Sequence, residues 1–279
     1  SRRQRQMCIR DRLIPILVGI TFLSFAMMRL AGGDAVTYMY ENAGSAVSQE
    51  VIDETRKEYG LDQPFLVQYA KWFAGMATGD MGKSYVSRRD VYETFIEKLP
   101  ATIMLTISSV LFTMLIAIPL GILSAVQHNK WSDYLIRFLS FIGNSMPNFF
   151  VALVLMYFLS IKLGWFDLYG VVGRMHEQLS PFGKVMDIAK HLVLPIATLL
   201  IVQIGSLMRY TRTNMLEVLN ADYIRTARAK GLPESRVINH HAFRNTLIPI
   251  ITILANQLPA LFSGALITET LFQIPGIGY

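Results

Sequence analysis

The 279 residues are 52% hydrophobic and only 16% charged, with a mean hydropathy of +0.38. An ordinary soluble domain is about 25% charged, so this composition excludes that class. The lone cysteine, Cys8, excludes an internal disulfide and a thiolate metal cluster. The formal charge of +6 falls to +2 without the first twelve residues, SRRQRQMCIRDR. That opening is unlike anything after it and resembles a translated adapter tail. Residues 1–11 are therefore read as a non-native tail and set aside.

Five stretches lack Asp, Glu, Lys and Arg: Leu13–Met28, Ala101–Val126, Phe138–Ile161, Leu192–Met208 and Thr246–Thr268. A helix needs roughly 17–25 residues to cross the hydrocarbon core. The first stretch reaches that length with a snorkelling Arg29, followed by Leu30 and Ala31, which makes residues 12–31 the first span. The expected fold is all-α, a polytopic helical membrane protein with five spans.

Segment 32–98 follows the first span and carries its own helix signals. SQEVIDETRKEYG has Ser48 as a cap, acids near its start, bases later and Gly60 as a stop. QPFLVQYAKWFAGM reads as a second, amphipathic helix with Phe65, Tyr69, Trp72, Phe73 and Met76 near one face. Together they predict a small helical cap, with the aromatic stripe used for packing. ATGDMGKS, Ala77–Ser84, fits a relaxed P-loop pattern, but a helix and not a strand precedes it. It is read as a glycine-containing turn.

Within residues 99–279, the expected permeation core, proline stands at positions 119, 147, 195, 249 and 259. Proline frees a carbonyl that neighbours or water must satisfy inside a membrane. GNSMPNF, Gly143–Phe149, is the densest case, with Asn144 and Asn148 around Pro147. Two readings stay open for it: a packed kink held by interhelical hydrogen bonds, or an element lining a translocation pathway. Gln203, Asn256 and Gln257 invite the same two readings.

Loop charge sets the orientation. Segment 209–245 carries seven Lys or Arg residues against three acids, whereas 32–98 carries eleven acids against seven bases. Basic residues accumulate on the cytoplasmic side. Alternation then puts 32–98 and 162–190 outside, 127–137 and 209–245 inside, and the N-terminus in the cytoplasm. Five spans leave residue 279 outside, and the chain ends at PGIGY without a polar tail. The expectation is a copy that lacks at least one further span.

The internal loop 209–245 is the most informative stretch. Met215, Leu216, Leu219, Tyr223, Ile224 and Ala227 fall within one half of a helical wheel, with Asp222, Arg225 and Arg228 on the other. Gly231 stands where a helix ends in the left-handed conformation, and Pro233 suits the first turn of another. The prediction is a helix, a sharp turn and a second helix on the inner membrane surface. A solvated basic face that only fixes topology, a helix-turn-helix reading nucleic acid, and a knob for a cytoplasmic partner compete here. The basic patch is modest and the second helix runs straight into a span, which argues against nucleic acid. A mixed apolar and charged face suits a partner's groove. His240 and His241 are adjacent, so on a helix they diverge and make a poor metal pair.

DYIRTARAKGL followed by HAFRNTLIP resembles the loop signature of the membrane (permease) subunits of ATP-binding-cassette importers, above all the dipeptide, oligopeptide and nickel subfamily. In the general signature Glu-Ala-Ala precedes the glycine; here those positions read Arg225-Thr226-Ala227 before Gly231. TFLSFAMMRLAGGD, YGLDQP, GDMGKS, KLPAT, FIGNSMPNF and ETLFQIPGIG agree, over residues 12–279. The long segment between the first two spans is similar to that of the first of two permease subunits. Gly32 and Ala35 depart from the family, which often has proline there, as does the absence of its usual sixth span.

The resemblance implies a coupling helix inserted into a cleft of a separate ATPase subunit. Its residues are Ala221, Asp222, Tyr223, Ile224, Arg225, Thr226, Ala227, Arg228, Ala229, Lys230 and Gly231. It further implies two cytoplasmic ATPase subunits that hold ATP and Mg, a second permease subunit (a heterodimer), an extracytoplasmic solute-binding protein, and residence in a prokaryotic cytoplasmic (inner) membrane. No catalytic residue, metal ligand, bound cofactor or nucleic-acid partner is expected of this chain. The alternative is a secondary carrier or channel without an ATPase. Carriers place ionisable groups inside spans, and the five charge-free stretches supply none.

Overall fold

The computed structural model describes residues 2–30, 36, 40, 48–84, 87–256, 259 and 265–279, with side chains from residue 12 onward. Gln257 therefore lies outside the described residues. The chain divides into two compact units, residues 1–96 and 97–279. Among the described residues the regular secondary structure is helical, apart from one isolated bridge between Lys83 and Asp90.

The first unit holds α1 (Arg2–Leu30), α2 (Gln49–Glu58) and α3 (Phe65–Thr78). The aromatic stripe of α3 packs on α1. Phe65 and Tyr69 meet Phe22 edge-on, and Phe25 lies against Phe65, Tyr69 and Trp72 with centroids 5.4–5.8 Å apart. Such ring pairs add roughly 0.5–1.5 kcal/mol each beyond buried area. The Tyr69 hydroxyl also lies 3.0 Å from Thr21 Oγ1. Arg29 turns onto the Phe25 ring and hydrogen-bonds Gln68. Met76, at the far end of α3, is 40% exposed.

After α3 the chain turns through Gly79 and Gly82, both at positive φ, before the Lys83–Asp90 bridge. The segment from Ala77 to Ser84 is thus a helix end and a turn. It lacks the strand-to-helix geometry of a phosphate loop.

The second unit is built on two long helices, α4 (Val91–Val126) and α7 (Pro181–Leu219), of 36 and 39 residues. At 1.5 Å per residue each is about 55 Å long, well beyond the ~30 Å hydrocarbon core. Ser180 caps α7 by accepting from the Gly183 N–H, with Pro181 at the first helical position. Between them lie α5 (Trp131–Ser145) and α6 (Asn148–Leu155), the latter running into a π-helical turn, Met156–Lys162. Beyond α7 come α8 (Asp222–Ala229), the short α9 (Glu234–Arg236), a π-helical turn (Val237–Ala242), α10 (Phe243–Ala255) and α11 (Leu266–Phe272).

Three described helical stretches are long and apolar enough to cross a membrane: Arg12–Leu30, Val91–Val126 and Pro181–Leu219. The pair Trp131–Ser145 and Asn148–Lys162 makes a fourth if counted together, but it is bent by 101°. The expected continuous third span is therefore corrected to two helices. The cause is local. Met146 precedes proline and takes ψ 129°, outside the helical region, and Pro147 then serves as the N-cap of α6. Of the expected fifth span, α10 covers the part up to Ala255 and α11 begins at Leu266, while residues 257, 258 and 260–264 lie outside the described residues.

Candidate functional site

The loop after α7 forms a helix, a turn and a second helix, as its residue pattern predicts. The break comes first at Asn220, so α7 and α8 are separate helices and not one continued helix. On α8, Ile224 and Ala227 are buried, in a cluster with Ala125, Met215, Val237 and Ala242. Asp222, Tyr223, Arg225, Thr226, Arg228, Ala229 and Lys230 are exposed, and Ala221 is half-buried. Tyr223, placed by the wheel with the apolar half, is instead 47% exposed, at the edge of the face that Ile224 and Ala227 bury.

Gly231 ends α8 with φ +78°, and nothing lies within 4 Å of where its Cβ would stand. The Gly231 N–H donates to Arg228 O at 2.9 Å and the Leu232 N–H to Ala227 O at 3.4 Å. This is the paired hydrogen-bond pattern of a glycine-terminated helix, with Leu232 completing it by packing on the cluster around Ile224. Across the turn Arg228 forms a fork with Glu234, Nε to Oε2 at 3.1 Å and Nη2 to Oε1 at 2.6 Å. That bond, before the charge itself, holds the Glu234 carboxyl below its usual pKa and raises Arg228 above its own. Pro233 caps α9. The result is a rigid knob, apolar inside and charged outside.

The polar residues of the apolar stretches separate by location. Asn144 is exposed near the end of α5, Pro147 is exposed at the break, and Asn256 is exposed after α10. Asn148 is half-buried; its Nδ2 donates to Thr268 Oγ1 at 3.0 Å, while Oδ1 has no partner. Gln203 Oε1 is likewise buried without a partner. Asn148 thus bridges α6 and α11. His240 and His241 meet edge to face with centroids 5.3 Å apart, in a π-helical turn. No group of metal-ligating residues forms among the described residues.

Two buried carboxylates organise this unit, and the residue pattern singled out neither. Asp133, with no exposed surface, accepts from Ser124 Oγ (2.5 Å), Arg212 Nε (2.7 Å), Arg212 Nη2 (3.0 Å) and the Asn129 N–H (3.0 Å). It ties α4, α5 and α7 together immediately above the knob. Glu269, equally buried, accepts from Thr102 Oγ1 (2.8 Å), the Ala265 N–H (3.1 Å) and the Gly278 N–H (2.7 Å). Thr102 in turn accepts from the Ile277 N–H at 2.8 Å. A Cβ on Gly276 would sit 2.4 Å from Glu269 Oε2, so the Pro-Gly-Ile-Gly turn closes directly on the carboxylate. A carboxylate spaced from an arginine by seventy-nine residues carries no local signal. Glu269 lies one residue past the last charge-free stretch and reads as a boundary.

Between these networks, α5 and α7 cross with their backbones in contact. A Cβ on Gly205 would lie 2.2 Å from Ser140 O, and one on Gly143 would lie 2.5 Å from Ile201 O. Small residues at such crossings let membrane helices approach closely.

Comparison with known proteins shows the family. Residues 117–279 match the family described as binding-protein-dependent transport system inner membrane component, and residues 7–106 match its N-terminal component. The chain is 43% identical over 266 residues to the oligopeptide transport system permease protein AppB of Bacillus subtilis, covering 95% of this chain and 82% of that protein. It is 37% identical to the dipeptide transport system permease protein DppB of Alkalihalophilus pseudofirmus and 36% identical to DppB of Escherichia coli, each covering 95% of this chain and 83% of the relative. A charged knob on apolar, membrane-length helices and these matches lead to one conclusion: the chain belongs to the binding-protein-dependent transport system inner membrane component family, as a multi-pass permease subunit and not an enzyme.

Proposed function

We propose that the chain imports peptides as one permease of an ATP-driven transporter, and that the exposed face of α8 is where a cytoplasmic ATPase subunit docks. The observation that carries this reading is the two-sided knob. Ile224 and Ala227 key α8 into its own bundle, while Tyr223, Arg225, Thr226, Arg228 and Lys230 are left outward on a rigid base. The peptide class comes from the named relatives, which are oligopeptide and dipeptide permeases. Two ATPase subunits would hold ATP and Mg; a second permease and an extracytoplasmic solute-binding protein complete the assembly. Loop charge supports a cytoplasmic N-terminus and a cytoplasmic 209–245. ATP and the loaded binding protein would then bias the equilibrium between inward- and outward-facing states through their differential affinities.

The test is Gly231→Val in the assembled transporter. No atom obstructs the new side chain, but φ +78° is costly for a β-branched residue. The expected outcome is chain that still accumulates in the membrane, with weakened ATPase co-purification or ATP hydrolysis uncoupled from peptide uptake. Unchanged ATP-dependent uptake would refute the assignment of the turn.

A further inference from the structure

A cavity of about 390 Å³ opens between α5 and α7, beside the Asp133 network. Arg137, Arg209 and Arg212 line it together with Ser140 and Asn144, and no carboxylate does. Asp133 stands behind the wall and is saturated: four donors already occupy its two oxygens, two of them from Arg212. Arg137 reaches it only at 3.5 Å and lies over the Tyr134 ring, with its side chain 42% exposed. Arg209 is exposed and makes no hydrogen bond or ion pair among the described residues. One carboxylate against three guanidinium groups leaves two positive charges without a counterion at the cavity mouth.

Depth is set by the sequence. The charge-free run of α7 ends at Met208, so Arg209 is the first charge beyond it. Tyr210 beside it is exposed, as are Trp131 and Tyr134, which the Asp133–Arg212 fork holds level with this end of α7. Exposed Trp and Tyr at the end of an apolar run mark the headgroup level of a bilayer. From there Phe138 and Phe141 continue along α5 toward the membrane interior, both exposed.

We propose that this cavity seats the phosphate of an anionic phospholipid of the cytoplasmic leaflet. Arg209 and Arg137 bind the phosphate oxygens, and an acyl chain lies over Phe141 and Phe138. Guanidinium forks match phosphate geometry, and basic pockets between spans on the cytoplasmic side suit lipid headgroups. An apolar wall at this depth favours a lipid over a free anion. The proposal rests on the orientation that puts 209–245 in the cytoplasm and is independent of ATPase docking.

The test is native mass spectrometry of the purified transporter in mild detergent, titrated with phosphatidylglycerol or with phosphatidylcholine. Phosphatidylglycerol is expected to be retained preferentially. Arg209→Gln and Arg137→Gln should each weaken that retention roughly fivefold, without loss of thermal stability or of ATPase co-purification. Arg174→Gln, on the opposite-side loop, should leave it unchanged. Equal retention of phosphatidylcholine, or full retention in the Arg137→Gln/Arg209→Gln double variant, overturns the proposal. So does displacement of the lipid by millimolar inorganic phosphate, which would mark a small-anion site. A cross-link from Asn144→Cys to the second permease subunit, with no lipid bound, would show that protein covers the cavity and would equally overturn it.

Discussion

Replacing Asp133 by asparagine keeps the shape of the side chain and removes its charge. In the folded protein the two carboxylate oxygens face a hydroxyl, two guanidinium N–H groups and one backbone N–H, all within 3.0 Å. An amide offers one oxygen. Its NH₂ must point either at Arg212 Nε and Ser124 or at Arg212 Nη2 and the Asn129 N–H. The Ser124 hydroxyl can rotate to accept, but neither guanidinium N–H nor the backbone N–H can. At least one donor loses its acceptor, and the Arg212 guanidinium, with its side chain only 16% exposed, loses its counter-charge.

Breaking a buried pair from one side costs about 3–5 kcal/mol. Asp133→Asn should therefore lower stability by that order, read by equilibrium unfolding in mild detergent. Replacing both partners with apolar residues, Asp133→Leu with Arg212→Met, should cost less than the two single changes together, because no stranded charge remains. The reasoning is refuted if Asp133→Asn lies within about 0.5 kcal/mol of the parent. It is equally refuted if the double-mutant cycle is additive to within about 0.5 kcal/mol.

Gly205→Ala should prevent stable accumulation, since its Cβ would lie 2.2 Å from Ser140 O, whereas Gly19→Ala, with nothing within 4 Å, should be tolerated; membrane abundance of the two variants separates the cases. The Arg228–Glu234 fork is half exposed, so it contributes no more than about 1 kcal/mol. Because the Glu234 carboxyl is held below its usual value, that contribution is fully present above about pH 4.3, the ordinary glutamate value, and is lost as pH falls through the lower folded value. A stability profile that Glu234→Gln flattens below pH 4.3 and leaves unchanged between pH 6 and 8 checks the sign. Glu269→Gln leaves one of three donors facing an NH₂ group and should loosen residues 265–279 from α4, seen as faster hydrogen exchange at Ile277 and Gly278, whose N–H groups donate to Thr102 and Glu269.

What the sequence carried clearly was local. Gly231 and Pro233 define a turn within three residues, and φ +78° follows from chemistry that any window of the chain displays. The aromatic stripe of α3 was equally legible, because a spacing of three and four puts rings on one face wherever the partner lies. Span continuity was less so. Phe138–Ile161 is uniformly apolar, and hydropathy does not distinguish a kinked helix from one broken by 101° at Met146 and Pro147. The break shows only in the ψ that Pro147 imposes on Met146. The buried ion pair was illegible for another reason. In sequence Asp133 stands in a short polar stretch between Lys130 and Arg137, where a carboxylate ordinarily faces water, and only the return of α7 brings Arg212 to it.

These contacts bear on how a push on the knob would travel. Arg225, Arg228 and Lys230 face away from the bundle, so a partner that grips them moves α8 only as far as Ile224 and Ala227 transmit the load. Those two side chains share one buried cluster with Ala125 and Met215, near the ends of α4 and α7. Ser124 and Arg212, one and three residues from those contacts, hold the same Asp133. Farther along, the glycine crossing leaves α5 and α7 no side-chain layer through which to slide. Load entering at α8 therefore meets α4, α5 and α7 as one clamped body. The first place where that body is not continuous is the break at Met146 and Pro147, where α6 leaves α5 without a shared helical hydrogen-bond ladder. Stiffness near the knob and a proline break beyond it are what a rigid-body mechanism requires, because a compliant knob would absorb the displacement before it reached α6.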